Sequence, residues 1–188
     1  MKKAAFVSII GLSILALSIG SCSKNSSTTT APTLYDSLGG TALVQDPTAA
    51  TGTTIEKGRL LIRSILDSTV FVIAADTQIN KYFTVLIGEL TATPQITSGY
   101  EALSKNLTDF VCVGTGAKDY TYTGKTMTAA HNPATNPRIS MLVDNGDFTE
   151  FETDLFAGAL KNGVPASTPA LMSVGRIVES LRSIVVQR

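Results

Sequence analysis

The sequence predicts an all-α domain, and three stretches carry that prediction. Ile62, Ile65, Leu66, Val70 and Ile73 recur at helical spacing, and Leu103, Leu107, Phe110 and Val111 do the same further on. The last forty residues read as two amphipathic helices joined by a short turn. Phe151, Leu155, Ala159 and Leu160 mark the first, and Leu171, Val174, Val178, Leu181 and Val185 the second. With 188 residues and 44% hydrophobic content, the chain suits one domain with a real core, preceded by an export segment.

That export segment comes first. Lys2-Lys3, an apolar run from Ala4 to Ile19 and then Gly20-Ser21-Cys22 read as a signal peptide over 1–21, too short and wrongly flanked for a stable membrane span. Ile19-Gly20-Ser21-Cys22 is similar to a bacterial lipobox, which implies cleavage before Cys22 and lipidation of its thiol. Two or three acyl chains, at roughly 0.8 kcal/mol per buried methylene, hold a small protein firmly to a membrane. An exported lipoprotein is therefore expected, anchored to the outer membrane on its periplasmic or surface face. Residues 22–33, rich in Ser and Thr, form a lipidated flexible tether, and 34–188 form the domain.

Within the domain, Thr41–Thr54 is expected to be a loop with partial helix, because it carries Pro47, Gly52 and many small residues. Thr53 with Glu56 forms a capping-box pattern ahead of a helix over Ile55–Ala75, and Ser98 with Glu101 another ahead of a helix ending near Val113. On that second helix Leu103, Leu107, Phe110 and Val111 form the buried side. Gly114-Thr115-Gly116 stops it. Lys125–Ala130 reads as a short helix ending at Asn132-Pro133, and Ile139–Val143 fits helix or strand. Thr149 with Glu152 opens the next helix, which stops at Gly163-Val164-Pro165. Thr168 as N-cap and Pro169 open a final helix running through Val185.

Chemistry centres on His131, the single histidine. Imidazole is well suited to ligating iron, zinc or copper near neutral pH, so the sequence offers one candidate position for such a ligand. Met127 lies one turn earlier and shares its face. A ligating histidine usually gives its second N–H to a nearby acceptor, here a carbonyl one turn back on Met127 or Thr128. Against this stands the plain reading of a lone histidine as a solvated or hydrogen-bonded residue.

The order Tyr122-Thr123-Gly124-Lys125, then Met127, then Ala130-His131 resembles the proximal segment of the group 1 truncated haemoglobins. Leu34-Tyr35 with Leu38-Gly39-Gly40 resembles the opening of that family. Ala75-Asp76 leading to Tyr82-Phe83 resembles its Ala-Asp-Pro segment, and the closing helix pair with Arg182 late in it fits as well. Extra residues follow Gly40, surround Thr91–Thr97 and follow His131.

This resemblance implies a two-on-two helical sandwich holding haem b, with His131 as the iron ligand. Phe83, Leu103, Leu107, Phe110 and Met127 would supply apolar contacts, and Lys125 and Arg138 would meet the propionates. It also implies a diatomic gas ligand (dioxygen, nitric oxide or carbon monoxide), or electron exchange with a redox partner that the sequence does not name. On the distal side the chain departs from the family. Val70 stands where a ligand-binding Tyr is usual, and Leu103 and Leu107 where Gln is frequent. Losing a donor to a charged acceptor costs about 1.5–3 kcal/mol, so weak dioxygen retention is expected. Asn106, Thr69 and Tyr82 remain as alternative donors.

Other classes fit less well. The formal charge is zero, and no basic stripe is interleaved with aromatics, so no nucleic-acid partner is expected. The chain has no Gly-x-Ser-x-Gly, Cys-x-x-Cys or His-x3-His spacing, and one histidine allows only one His-based nucleophile pair. Cys112, in an apolar run, reads as inert core. A globin-like surface lipoprotein without a cofactor, binding a protein or an apolar ligand, is the alternative that the changes at Val70, Leu103 and Leu107 would suit.

Overall fold

A computed structural model describes residues 31–188. The signal peptide, the lipid site at Cys22 and the tether up to residue 30 that the sequence leads one to expect lie outside the described residues. Helix α1 (Leu34–Ser37) opens the domain, and Thr33, counted with the tether from sequence, is its N-cap. The Thr33 hydroxyl accepts the Asp36 N–H, and the Asp36 carboxylate accepts the Thr33 N–H. Gly39 and Gly40 follow at φ +125° and +61°, a region closed to most side chains. The turn brings Gly40 against α2 (Lys57–Ala75), whose Gly58 N–H donates to the Gly40 carbonyl at 3.0 Å.

Thr41–Thr54 corrects the expectation of a loop with partial helix. It holds β1 (Leu43–Gln45) and leads into β2 (Thr54–Glu56), the two paired as an antiparallel ribbon with Val44 opposite Ile55. β-Branched Val44, Thr54 and Ile55 suit extended backbone better than a helical turn. The ribbon is pinned to α2 by Asp46, which takes Arg63 at 2.7 and 3.1 Å. Ile55 and Glu56 are consequently strand, and the Thr53–Glu56 capping box does not form. Glu56 is itself the N-cap of α2, and its carboxylate accepts the Tyr35 hydroxyl at 2.6 Å.

After α2 come a 3-10 turn (Asn80–Phe83), α3 (Thr84–Thr91) and α4 (Ser98–Gly114). Helix α4 is N-capped by Thr97, so Ser98 lies inside it and the Ser98–Glu101 box is not made; the Thr97 hydroxyl donates to Glu101 at 2.7 Å instead. Helix α5 (Met127–Ala130) starts two residues later than expected. Helix α6 (Asn145–Lys161) starts four residues before Thr149, on a reciprocal box between Asp144 and Asp147. Thr149 is interior, its hydroxyl donating to the Asn145 carbonyl at 3.0 Å. Helix α7 (Pro169–Glu179) has Thr168 and Pro169 in the expected places.

The final helix does not run through to Val185. It breaks at Ser180-Leu181, and α8 (Arg182–Val185) resumes after it. The break turns the chain end toward Val143, which bridges to Val186 and accepts the Gln187 N–H at 3.0 Å. Ile139–Val143 is thus neither helix nor regular strand. The glycine stops after α4 and α6 stand where the sequence places them. Among the described residues, no helix is long and apolar enough to cross a membrane.

Helix α2 is the central element, packed on α6 and on α4. Its backbone meets α6 closely, since a Cβ on Gly158 would stand 2.2 Å from the Thr69 hydroxyl and 2.8 Å from the Thr69 nitrogen. Two apolar clusters form the core. One gathers Tyr35, Ile62, Leu66, Leu155 and Leu171, and the other Ile73, Ile79, Tyr82, Phe148 and Val185.

The buried side of α4 is not the one expected. Ser104, Thr108, Asp109 and Cys112 are buried, and Asp109 pairs with Arg59 of α2 at 2.7 Å and with Lys105 at 2.6 Å. Leu103, Leu107, Phe110 and Val111 are only partly buried and face a cavity. Cys112 is a free, fully buried thiol that burial pushes up to about 11, so it stays protonated.

Candidate functional site

The cavity has a volume of about 600 Å³, within the roughly 300–1,000 Å³ typical of small-molecule and cofactor pockets. One wall is α2, through Ile62, Ile65, Leu66, Val70 and Ile73. Another is the outward stripe of α4. The 3-10 turn contributes Tyr82 and Phe83, and the α5 segment contributes Met127, Ala130 and His131. Both core clusters reach this space.

The residues named from sequence as cofactor contacts all line it: Val70, Phe83, Leu103, Leu107, Phe110, Lys125, Met127, His131 and Arg138. Val70 is only 5% exposed. Phe83 and Met127 also pack on the second core cluster. Phe110 meets Tyr122 edge to face, with ring centroids 5.2 Å apart.

His131 is the C-cap of α5, which Thr126 opens by accepting the Ala129 N–H. The far end of this one-turn helix is tied down from the following loop. Thr135 donates its hydroxyl to the Ala129 carbonyl at 2.9 Å, and Asn136 donates its amide to the Ala130 carbonyl at 2.7 Å. Pro133 and Pro137 stiffen that loop. The imidazole Nδ1 lies 2.8 Å from the Met127 carbonyl oxygen, which can only accept, so Nδ1 carries the proton. Nε2 is then the lone-pair nitrogen, with no hydrogen-bond partner among the described residues. Burial lowers the pKa of His131, which keeps the ring neutral at pH 7.

Polar residues gather where the cavity opens. The Lys125 ammonium donates to the Thr135 carbonyl at 3.1 Å, and the Tyr122 hydroxyl to the Lys125 carbonyl at 2.5 Å. Arg138 forms a two-pronged pair with Glu89 at 2.9 and 2.5 Å, crossing Gly99, where a Cβ would collide with both side chains. Lys125 and Arg138 therefore both stand at the cavity edge, with Arg138 already paired.

The three alternative donors separate clearly. The Thr69 hydroxyl donates to the Ile65 carbonyl at 2.8 Å, and the Tyr82 hydroxyl is held between Asp147 and the Leu142 carbonyl. The Asn106 amide lines the cavity and has no side-chain partner among the described residues. Sequence reasoning missed Tyr122, Asn136 and Ile139 as wall residues. Tyr122 opens the very stretch that holds His131, but nothing in its spacing marks it as lining.

The arrangement is that of a helical domain with one apolar pocket and one uncommitted imidazole nitrogen, a globin-like plan. Two solved structures bear on the fold. Both are single-substitution variants of truncated hemoglobin from Tetrahymena pyriformis in the Fe(III) form. One is similar with a TM-score of 0.55 at 18% identity, the other with 0.53 at 20%, and each covers 84% of this chain and 100% of its own. The chain thus has a truncated-globin-like fold. No protein-family model matches the sequence. No curated protein matches it either.

Proposed function

We propose that this protein binds haem b in the cavity between α2 and α4, with His131 Nε2 as the iron ligand. The observation that carries the reading is the pairing of that nitrogen with an apolar slot. A neutral imidazole whose Nδ1–H is committed to a carbonyl presents Nε2 as a metal ligand in the right tautomer. Bound there, haem would supply an iron centre for a diatomic ligand or for one-electron exchange.

This chain's residues would do the rest. Phe83, Leu103, Leu107, Phe110 and Met127 exclude water and pack on a flat apolar ring system. Burying a large apolar side chain is worth roughly 1.5–3 kcal/mol, so the stripe on α4 alone supports several kcal/mol of binding. Lys125 offers an ammonium to a carboxylate at the cavity edge, at the cost of its single carbonyl contact. Asn106 offers an N–H to a ligand that accepts one. Thr135 and Asn136 hold the helix end that carries the imidazole.

Titrating the purified protein with hemin tests the reading. A one-to-one Soret band that is lost in His131→Ala supports it, while a protein that stays colourless leaves a cofactor-free binding module. The exported lipoprotein of the sequence reading is part of the same proposal. Labelled palmitate entering the wild type and not Cys22→Ala would support anchoring at a membrane.

A further inference from the structure

We infer that Asp76, Glu150 and Asp154 form a binding site for a hard divalent cation of calcium size, where the C-terminal end of α2 meets α6. One carboxylate oxygen from each lies within 4.8 Å of the other two. Calcium holds oxygens at about 2.3–2.6 Å, so ligands on opposite sides of one ion stand roughly 4.6–5.2 Å apart. All three groups can therefore touch a single ion without rearrangement of the helices. None of the three lines the apolar cavity, so the site is independent of the haem reading.

A cluster of acids alone would mean little, and the decisive observation is how these acids are left. Asp154 is only 5% exposed, and its Oδ2 is buried with no hydrogen-bond partner. Asp76 Oδ2, in the same cluster, is also buried without one. Buried carboxylate oxygens lacking a partner are costly, and native proteins supply one. Among the described residues no Lys or Arg does so, since Asp76, Glu150 and Asp154 take part in none of the ion pairs.

The local field makes the deficit worse. Asp76 is the C-cap of α2, whose last turn carries no basic residue, so the negative end of a 19-residue helix points into the cluster. Glu150 and Asp154 stand four apart on α6, like charges on one face. Burial first, then the charges of Asp76 and Glu150, push the Asp154 acid up to about 6. An oxygen-only donor set favours calcium, magnesium or manganese over zinc or copper, and the span suits the larger ion. Ile73 and Phe151, one turn from Asp76 and Asp154, line the cavity, so an ion here would tie the two helices together next to its wall.

Calorimetric titration of the purified protein with CaCl2 tests the site. The expected result is one calcium per chain and, in 1 mM CaCl2, a rise in Tm of about 5 °C. Magnesium should bind at least about 10-fold more weakly. Asp154→Asn and Glu150→Gln should each weaken calcium binding by 10-fold or more, about 1.4 kcal/mol. Glu150 reaches the surface, so Glu150→Gln keeps the test open if the other variant folds poorly. The exposed-acid control Asp119→Asn should bind as the wild type does. No binding at 1 mM overturns the proposal, as does binding that survives both substitutions. Stabilisation by acid alone, with no dependence on cation, also overturns it, because a shared proton then fills the cluster.

Discussion

The imidazole of His131 is keyed to the carbonyl of Met127, its Nδ1 lying 2.8 Å from that oxygen one helical turn back. The contact selects the tautomer and turns the ring, and it depends on a helix of only four residues. Four residues cannot hold a helix by themselves, so the loop that follows must do it. Asn136, donating to the Ala130 carbonyl, is the nearest such support. Asn136→Ala should lower hemin affinity by about 10-fold, the lower end of the range for residues that orient a metal ligand. Hemin titration with an unchanged far-UV spectrum checks this, and equal affinity in the variant would remove Asn136 from the account.

Asn106 is the polar residue of the α4 wall whose amide is uncommitted. In the haem-loaded ferrous protein, Asn106→Leu should speed dioxygen release by about 10-fold or more, the value of a hydrogen bond to a charged acceptor. Carbon monoxide, a poorer acceptor, should be little affected. Stopped-flow release rates for both gases decide it, and a common change in the two would point to altered access.

Gly158 allows α6 to lie against Thr69 of α2. Gly158→Ala places a methyl group 2.2 Å from the Thr69 hydroxyl and 2.8 Å from its backbone nitrogen, which cannot move without the helix. The expected loss of stability is about 3 kcal/mol, at the upper end for overpacking. Urea unfolding measures it; a loss under 1 kcal/mol would show that the helices part easily.

Asp147 ties the chain end to the core. Burial works against its charge, but the Tyr82 hydroxyl, the Lys81 ammonium and Arg188 together hold its carboxyl at about 2. A carboxyl depressed in the folded state adds stability above its unfolded pKa of about 3.9, and that stability is lost as pH falls toward 2. Asp147→Asn should therefore cost about 2 kcal/mol at pH 7 and almost nothing at pH 2. Denaturation curves across that window check the sign as well as the size.

Helix positions were legible because apolar spacing on α2, α4, α6 and α7 follows directly from burial of one face. Helix starts were less so. Three Ser/Thr-x-x-Glu patterns suggested capping boxes and none forms, while the boxes that do form, Thr33 with Asp36 and Asp144 with Asp147, use aspartate at the third position. The ribbon at β1 and β2 was hidden because strands of three residues are too short for a period to emerge. The cavity wall was legible in Leu103, Leu107 and Phe110, although periodicity cannot distinguish a face packed on protein from one packed on a void. That Asn106 has a free amide, while Thr69 and Tyr82 do not, depends on contacts as distant as Tyr82 with Asp147, which no local pattern reveals.

The reversed faces of α4 give that helix an unusual dependence. It meets α2 through the Arg59–Asp109 contact and small buried side chains, and Leu107 and Val111 rest against the first core cluster, while its apolar stripe lines the cavity. Amide hydrogens along α4 should therefore exchange quickly in the empty protein and slow markedly once the slot is filled. Occupancy would be written into the mobility of one helix.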